Sequence, residues 1–177
     1  RKNLSHLREG EYEALSAKLG TEEWKPDFGP NEFTEIAAKS GATQVGAREF
    51  LIAYNINLNT KDVKIAKRLG MLIREQGGAP VKGANNETLR DKDGKIVKET
   101  KGLFENCKAT GWFIEEFDLA QVTINLTNYK RTSVHAVFDK VCELANEMGA
   151  RVTGSEIVGL VPLQALLDAG RHYFSKQ

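Results

Sequence analysis

The sequence predicts an α+β fold, a ferredoxin-like split βαβ sandwich with an antiparallel sheet and helices on one face, preceded by a helical and loop segment. Three observations predict it. From Phe50 onward the hydrophobic period changes in the order strand, helix, strand, strand, helix, strand, terminal helix. The segments Phe50–Leu58 (FLIAYNINL) and Leu119–Thr127 (LAQVTINLT) alternate apolar and polar side chains, as half-buried strands do. Their polar positions carry amides and hydroxyls where a plain wet sheet usually carries Lys and Glu.

Each element has its own reason. Residues 1–24 read as helical, because Leu4, Leu7, Tyr12, Leu15 and Leu19 form an imperfect stripe interrupted by Gly10. Lys25 to Pro30 (KPDFGP) breaks regular structure, and residues 29–49 stay rich in small residues before the first strand. In that strand Phe50, Ile52, Tyr54, Ile56 and Leu58 share one face, with Asn55 and Asn57 on the reverse. Thr60 is the expected N-cap of the next helix, where Val63, Ala66, Leu69 and Ile73 recur at helical spacing and Gly77–Gly78 ends the pattern.

Residues 79–108 hold seven Lys or Arg and five Asp or Glu, and Asp93–Gly94 between LRDK and KIVKET signals a hairpin on a solvated excursion. The second strand is expected at Trp112–Glu116 and the third at Leu119–Thr127, with a tight turn near Phe117–Asp118. A helix follows from Thr132–Ser133, burying Val134, Val137, Phe138, Val141, Leu144, Ala145 and Met148, and Gly149 closes it. The fourth strand spans Arg151 to Val158. Pro162 opens a last helix, expected to turn Leu163, Leu166, Leu167, Tyr173 and Phe174 inward.

Composition sets mild bounds. A chain of 177 residues with 41% hydrophobic content can bury a proper core, and a net charge of +1 gives no reason to expect nucleic acid or membrane partners. Cys107 and Cys142 have no metal-type spacing, so no metal and a reducing, cytoplasmic home are expected. The chain opens on Arg1 within a helical pattern, which suggests a piece of a longer product.

Function is sought on the open face of the sheet. In the predicted plan the first and third strands are central neighbours, so Asn55, Asn57, Gln121, Thr123 and Asn125 converge opposite the helices. Five uncharged hydrogen-bonding side chains with no charged one among them suit a neutral or weakly charged ligand. Arg48, just ahead of the first strand, is the candidate for holding a carboxylate, because its planar fork matches one. Glu115 and Glu116 are adjacent and point apart, and Glu156 reads as an edge ion-pair residue. His6, His135 and His172 read as surface or packing residues.

The blocks EYEAL (11–15), PDFGP (26–30), GATQVGAREFLIAYNINLNT (41–60), IREQGG (73–78), GWFIEEFDLAQVTINLTNY (111–129) and GSEIVGLVPLQALLDAG (154–170) resemble the glutamate formiminotransferase family. The resemblance is to the later half of that domain and covers nearly the whole chain in order. It implies transfer of a formimino group from N-formimino-glutamate to tetrahydrofolate, a co-substrate, in histidine breakdown. It implies that residues 1–40 are the tail of an N-subdomain with a folate-contacting loop, and that 41–177 are the C-subdomain. The implied folate segment is Gly29, Pro30, Asn31, Glu32, Phe33, Thr34, Glu35, Ile36, Ala37, Ala38, Lys39, Ser40 and Gly41, with Phe33 at its aromatic position. Its implied partners are folate, N-formimino-glutamate, the missing N-subdomain in the same or a partner chain, and a second copy in a homodimer. The hairpin at 86–100 looks like an insertion relative to the animal enzymes.

The family's catalytic histidine lies in a segment resembling His-Pro-Arg-Met-Gly-Ala, and no such segment occurs in this sequence. We therefore expect this chain to be inactive alone. The rival expectations are a non-catalytic folate-binding module and a ferredoxin-like interaction module. Replacing Asn55 and Gln121 together is expected to weaken folate binding with the fold intact; titration calorimetry giving an unchanged affinity would remove the open face from the site.

Overall fold

The structure, a computed structural model, describes residues 4–176. It divides into two compact units, one ending at Ala47 and one beginning at Arg48.

In the first unit the helix predicted over residues 1–24 is two single turns, α1 (Leu4–Leu7) and α2 (Leu15–Lys18). Gly10 and Glu11 lie between them at φ 68° and 47°, values a right-handed helix cannot contain. Residues 1–3 of that prediction lie outside the described residues. Further on, α3 (Glu35–Ser40) begins where Thr34 accepts a 3.2 Å hydrogen bond from the Ala37 amide, with Glu35 favourably placed in the first turn. None of the described side chains in this unit is fully buried.

The second unit holds the sheet: β1 (Ile52–Leu58), α4 (Val63–Ile73), β2 (Cys107–Ile114), β3 (Leu119–Leu126), α5 (Val134–Glu147), β4 (Val152–Val158) and α6 (Leu163–Phe174). All pairings are antiparallel and the strand order is β2-β3-β1-β4, the predicted ferredoxin-like arrangement. The core forms where the apolar faces of β1 (Ile52, Tyr54, Ile56, Leu58) and β3 (Ala120, Val122, Ile124, Leu126) meet the helices. Ala66, Leu69 and Ile73 of α4 cover the β2–β3 side, and Val137, Val141 and Ala145 of α5 cover the β1–β4 side.

Several predicted details change. Phe50 stands outside β1 and is 74% exposed, so it does not extend the apolar face. The second strand, expected at Trp112–Glu116, begins five residues earlier at Cys107 and pairs with β3 from Cys107↔Leu126 to Ile114↔Leu119. Its first half, Cys107 to Thr110, alternates in type, but its apolar positions Cys107 and Ala109 are small and carry little hydrophobic signal, so pairing with β3 decides its state. Glu115 and Glu116 fall in the turn, completed by Asp118 at φ 52°. The N-cap of α4 is Asp62, whose carboxylate accepts from the Lys64 amide at 2.8 Å, while Thr60 accepts from the Asp62 amide one step earlier.

The excursion after α4 is more ordered than a simple hairpin. Bridges Pro80↔Lys98, Lys82↔Thr88 and Arg90↔Ile96 join three short segments pairwise into a closed triangle. At its tip Asp91 accepts from the amides of Asp93 and Lys95, and Gly94 turns the chain at φ 77°. The last helix also departs from expectation. In α6 only Ala165 is buried, whereas Leu163, Leu166, Leu167, Tyr173 and Phe174 are all exposed, because α6 lies beside α5 instead of over the sheet.

One contact sets how close α4 can come to the sheet. A β-carbon on Gly111 of β2 would fall far inside contact distance of the Ala66 and Lys67 backbone, and one on Gly70 would lie 2.8 Å from the Thr110 Cα. Helix and strand thus touch backbone to backbone at two reciprocal glycines. Gly111→Ala is expected to destabilise the domain by about 1–3 kcal/mol through overpacking. A urea midpoint unchanged by that substitution would show that α4 is free to back away.

Candidate functional site

Register places the polar side chains before any ligand is considered. Directly paired residues share a sheet face. From β4 across to β2, the row Glu156, Asn55, Thr123, Thr110 therefore lies beside the row Gly154, Asn57, Gln121, Trp112 on the face away from the helices. A third row, Val158, Ala53, Asn125, Lys108, lies on the same face, as does the pair Ile114↔Leu119. All five predicted open-face residues are on it. The expectation that no charged residue joins them is corrected: Glu156 and Lys108 stand on the two edge strands of the same face.

Side-chain hydrogen bonds tie part of this face into one network. The Trp112 indole N–H donates to Gln121 Oε1 at 2.8 Å. Gln121 Nε2 donates to Asn57 Oδ1 at 2.7 Å and to Glu156 Oε1 at 3.1 Å. Asn55 Nδ2 donates to the same Glu156 oxygen at 3.0 Å. Gln121 is 0% exposed and Asn55 is buried beside it, yet both amides have partners, as buried polar groups require. Glu156, read from sequence as an edge ion-pair residue, instead serves amides. Thr123 and Asn125 share the face, but among the described residues no side-chain hydrogen bond joins them to the network. Trp112 and Glu156 are the members that sequence reasoning missed. Their signal was the period-two positions of their own strands, readable only once the pairing partners are known.

The predicted folate segment lies in the first unit. Pro30 through Thr34 lead into α3, which carries Glu35 to Ser40, and Gly41 leaves it at φ 69°. Asn31 Oδ1 accepts from the Gly20 amide at 3.1 Å, and the Tyr12 hydroxyl donates to the Ala38 carbonyl. The loop is thereby held at both ends. Phe33 remains 42% exposed and Phe28 almost fully so. An open cleft of about 330 Å³ is lined by Arg8, Glu11, Tyr12, Leu15, Ser40, Gly41, Ala42 and Gln44. Arg48, in the second unit, is exposed and donates locally to the Glu49 carbonyl at 3.1 Å.

The histidines lie elsewhere. His6 is exposed and faces Glu9 at 3.5 Å. His135 and His172 stack at 4.3 Å between ring centroids, joining α5 to α6. His172 Nε2 lies 2.8 Å from Asp139, which also accepts from Tyr173 (3.0 Å) and Lys176. His135 Nε2 bonds Ser133 Oγ at 3.0 Å, and its Nδ1 is buried with no partner. Burial and the neighbouring His172 push the His135 pKa down. Burial opposes the Asp139 charge, but hydrogen bonds from Lys176, His172 and Tyr173 outweigh it and hold the carboxyl at about 2. The cluster clasps one helix to another. Among the described residues no group of three or more His, Cys, Asp or Glu side chains could hold a metal, and no helix is long and apolar enough to cross a membrane.

The fold and the face together define a class: an α+β sandwich domain presenting a built, hydrogen-bonding sheet face. Comparison with known proteins narrows it. The family described as "Formiminotransferase domain" matches residues 53–177, and "Formiminotransferase domain, N-terminal subdomain" matches residues 1–48. The chain belongs to the formiminotransferase family. N-subdomain sequence is therefore present in this chain, and that subdomain is not left wholly to a partner. The chain is 46% identical over 178 residues to a formimidoyltransferase-cyclodeaminase of Dictyostelium discoideum, with all of this chain and 29% of that protein covered. It is 33% identical over 173 residues to a glutamate formimidoyltransferase of Streptococcus pyogenes serotype M1, covering 98% of this chain and 49% of the relative. A glutamate formimidoyltransferase of Thermoplasma acidophilum is 36% identical over 163 residues, covering 92% and 45%. The chain thus spans under a third to about half the length of these relatives.

The histidine cluster carries a prediction about acid stability. Asp139 has a folded pKa of about 2 against an ordinary 3.8, so its contribution is fully present above 3.8 and disappears as pH falls through about 2. His135 acts in the same direction, its contribution starting to fall below its ordinary 6.5. Asp139→Asn is expected to lower the melting temperature at pH 6, with the difference from wild type shrinking toward pH 2. A difference that stays constant across that range would mean Asp139 does not clasp α6 through its charge.

Proposed function

We propose that this chain supplies part of a folate-dependent glutamate formimidoyltransferase, moving the formimino group from N-formimino-glutamate to tetrahydrofolate in histidine breakdown. The observation that carries this reading is the similarity to two glutamate formimidoyltransferases over nearly the whole of this chain. The geometry supports it. Phe33 offers an exposed ring for stacking against a pteridine or aminobenzoyl group, and the sheet face offers a pre-ordered set of amides. In this reading residues 1–40 are the tail of the N-subdomain with the folate loop, and 41–177 are the C-subdomain.

The reaction sets requirements these residues meet only in part. A C–N bond forms between a folate nitrogen and the formimino carbon. The bond from that carbon to the glutamate nitrogen breaks, and the proton lost by folate ends on glutamate. A base and an acid must serve the two nitrogens. The stacked pair His135–His172 is committed to joining helices, and His6 pairs locally. We assign the base to a segment resembling His-Pro-Arg-Met-Gly-Ala, which this sequence does not contain. The roles of this chain are then to bind folate and orient the formimino donor, in a cytoplasmic homodimer and without a metal.

Three outcomes test the proposal. The chain alone is expected to bind folate without releasing glutamate from N-formimino-glutamate, and adding a polypeptide with the histidine segment is expected to restore release. Phe33→Ala is expected to weaken folate binding by about 0.5–1.5 kcal/mol, roughly twofold to twelvefold. Stable oligomers with no measurable folate affinity would overturn the reading in favour of an interaction module.

A further inference from the structure

The donor and acceptor inventory of the open face singles out one group as a ligand contact. An indole N–H can only donate, so Trp112 forces the Gln121 oxygen toward itself. Both hydrogens of Gln121 Nε2 are then spent on Asn57 and Glu156. Asn57 receives one of them on its oxygen. Asn55 spends its NH2 on Glu156. Both amide donors reach the same Glu156 oxygen, Oε1, and among the described residues Oε2 takes no hydrogen bond. The carboxylate is thus held by one oxygen, with the other left open, on an exposed residue of the edge strand β4.

We infer that Glu156 is the ligand anchor of this face, its free oxygen and charge accepting hydrogen bonds from a planar group with adjacent N–H donors, the amidine class. Gln121 is the positioning residue, oriented by Trp112. A carboxylate in this state repels other carboxylates and binds N–H groups more strongly than a neutral acceptor does. The assignment rests on the formimidoyltransferase reading, which supplies two sources of this chemistry: the formimino group of N-formimino-glutamate and the amino-pyrimidine edge of the folate pterin.

The test is titration calorimetry of the full chain with N-formimino-glutamate and with folate, separately, for wild type and Glu156→Gln. The glutamine keeps an oxygen for Asn55 and Gln121 and replaces the free acceptor by a donor. We expect one ligand to lose at least tenfold in affinity while the other changes less than twofold; the ligand that weakens is the source. Formamidinium chloride should displace that ligand from the wild-type chain, whereas sodium chloride at equal ionic strength should not, which tests the site without a substitution. Both affinities unchanged in the variant would overturn the anchor and leave the functional reading standing. Equal loss of both, or no displacement by formamidinium, would assign Glu156 a structural role only. No binding of either ligand to wild type would overturn the functional reading and the anchor with it.

Discussion

The register between β1 and β3 is the constraint on which the rest depends. Ile52↔Leu126, Tyr54↔Ile124 and Ile56↔Val122 pair on the helix face, and Asn55↔Thr123 and Asn57↔Gln121 pair on the other. Side chains alternate with period two, so a slip of one residue would turn the apolar set to water and the amides into the core. Burial of the four apolar residues on each strand holds the register, and the polar face is its inevitable reverse. Stability and site are therefore specified by the same pairing.

The polar face has a direction as well as a composition. Its hydrogen bonds run from the Trp112 donor on the edge strand β2, through Gln121, to Asn57 and Glu156. A buried amide can be satisfied in either of two orientations, and the single-function indole removes that ambiguity. Such pre-ordering matters for recognition, because a side chain already held in place loses little entropy when a ligand arrives. The carboxylate at the end of the chain of bonds is the part left for something outside the protein.

Chemistry and architecture are kept apart elsewhere in the unit. The residues most suggestive of acid–base work, His135, His172, Asp139 and Tyr173, are committed to fastening α6 along α5. That fastening is polar because α6 buries little else; its leucines and Phe174 remain exposed. Helix α4 is attached differently, by backbone contact at Gly70 and Gly111, which needs no side-chain complementarity. The two helices flanking the sheet thus depend on apolar burial and close packing, and the terminal helix on charge. The two classes of contact respond to different perturbations.

Most of this fold was legible before the structure. The period-two strands, the helical spacing of Val134 to Met148 and the Asp-Gly hairpin state their local conformations through side-chain alternation and turn chemistry, which are properties of short segments. The order of those elements was enough to name the sheet plan and to place Asn55, Asn57, Gln121, Thr123 and Asn125 on one face. The start of β2 at Cys107 was not legible, because an edge strand is defined by its partner and its first apolar positions, Cys107 and Ala109, are small. The exposure of α6 was not legible either, since an apolar stripe does not say what covers it. What the sequence determined by itself was the order of strands and helices in the second unit, the faces of β1, β3 and α5, and the family. Only the tertiary structure decided that Glu156 and Trp112 join the amides of the open face. That required the register β1–β4, which sets Glu156 beside Asn55 from 101 positions away, and the register β2–β3, which sets Trp112 beside Gln121.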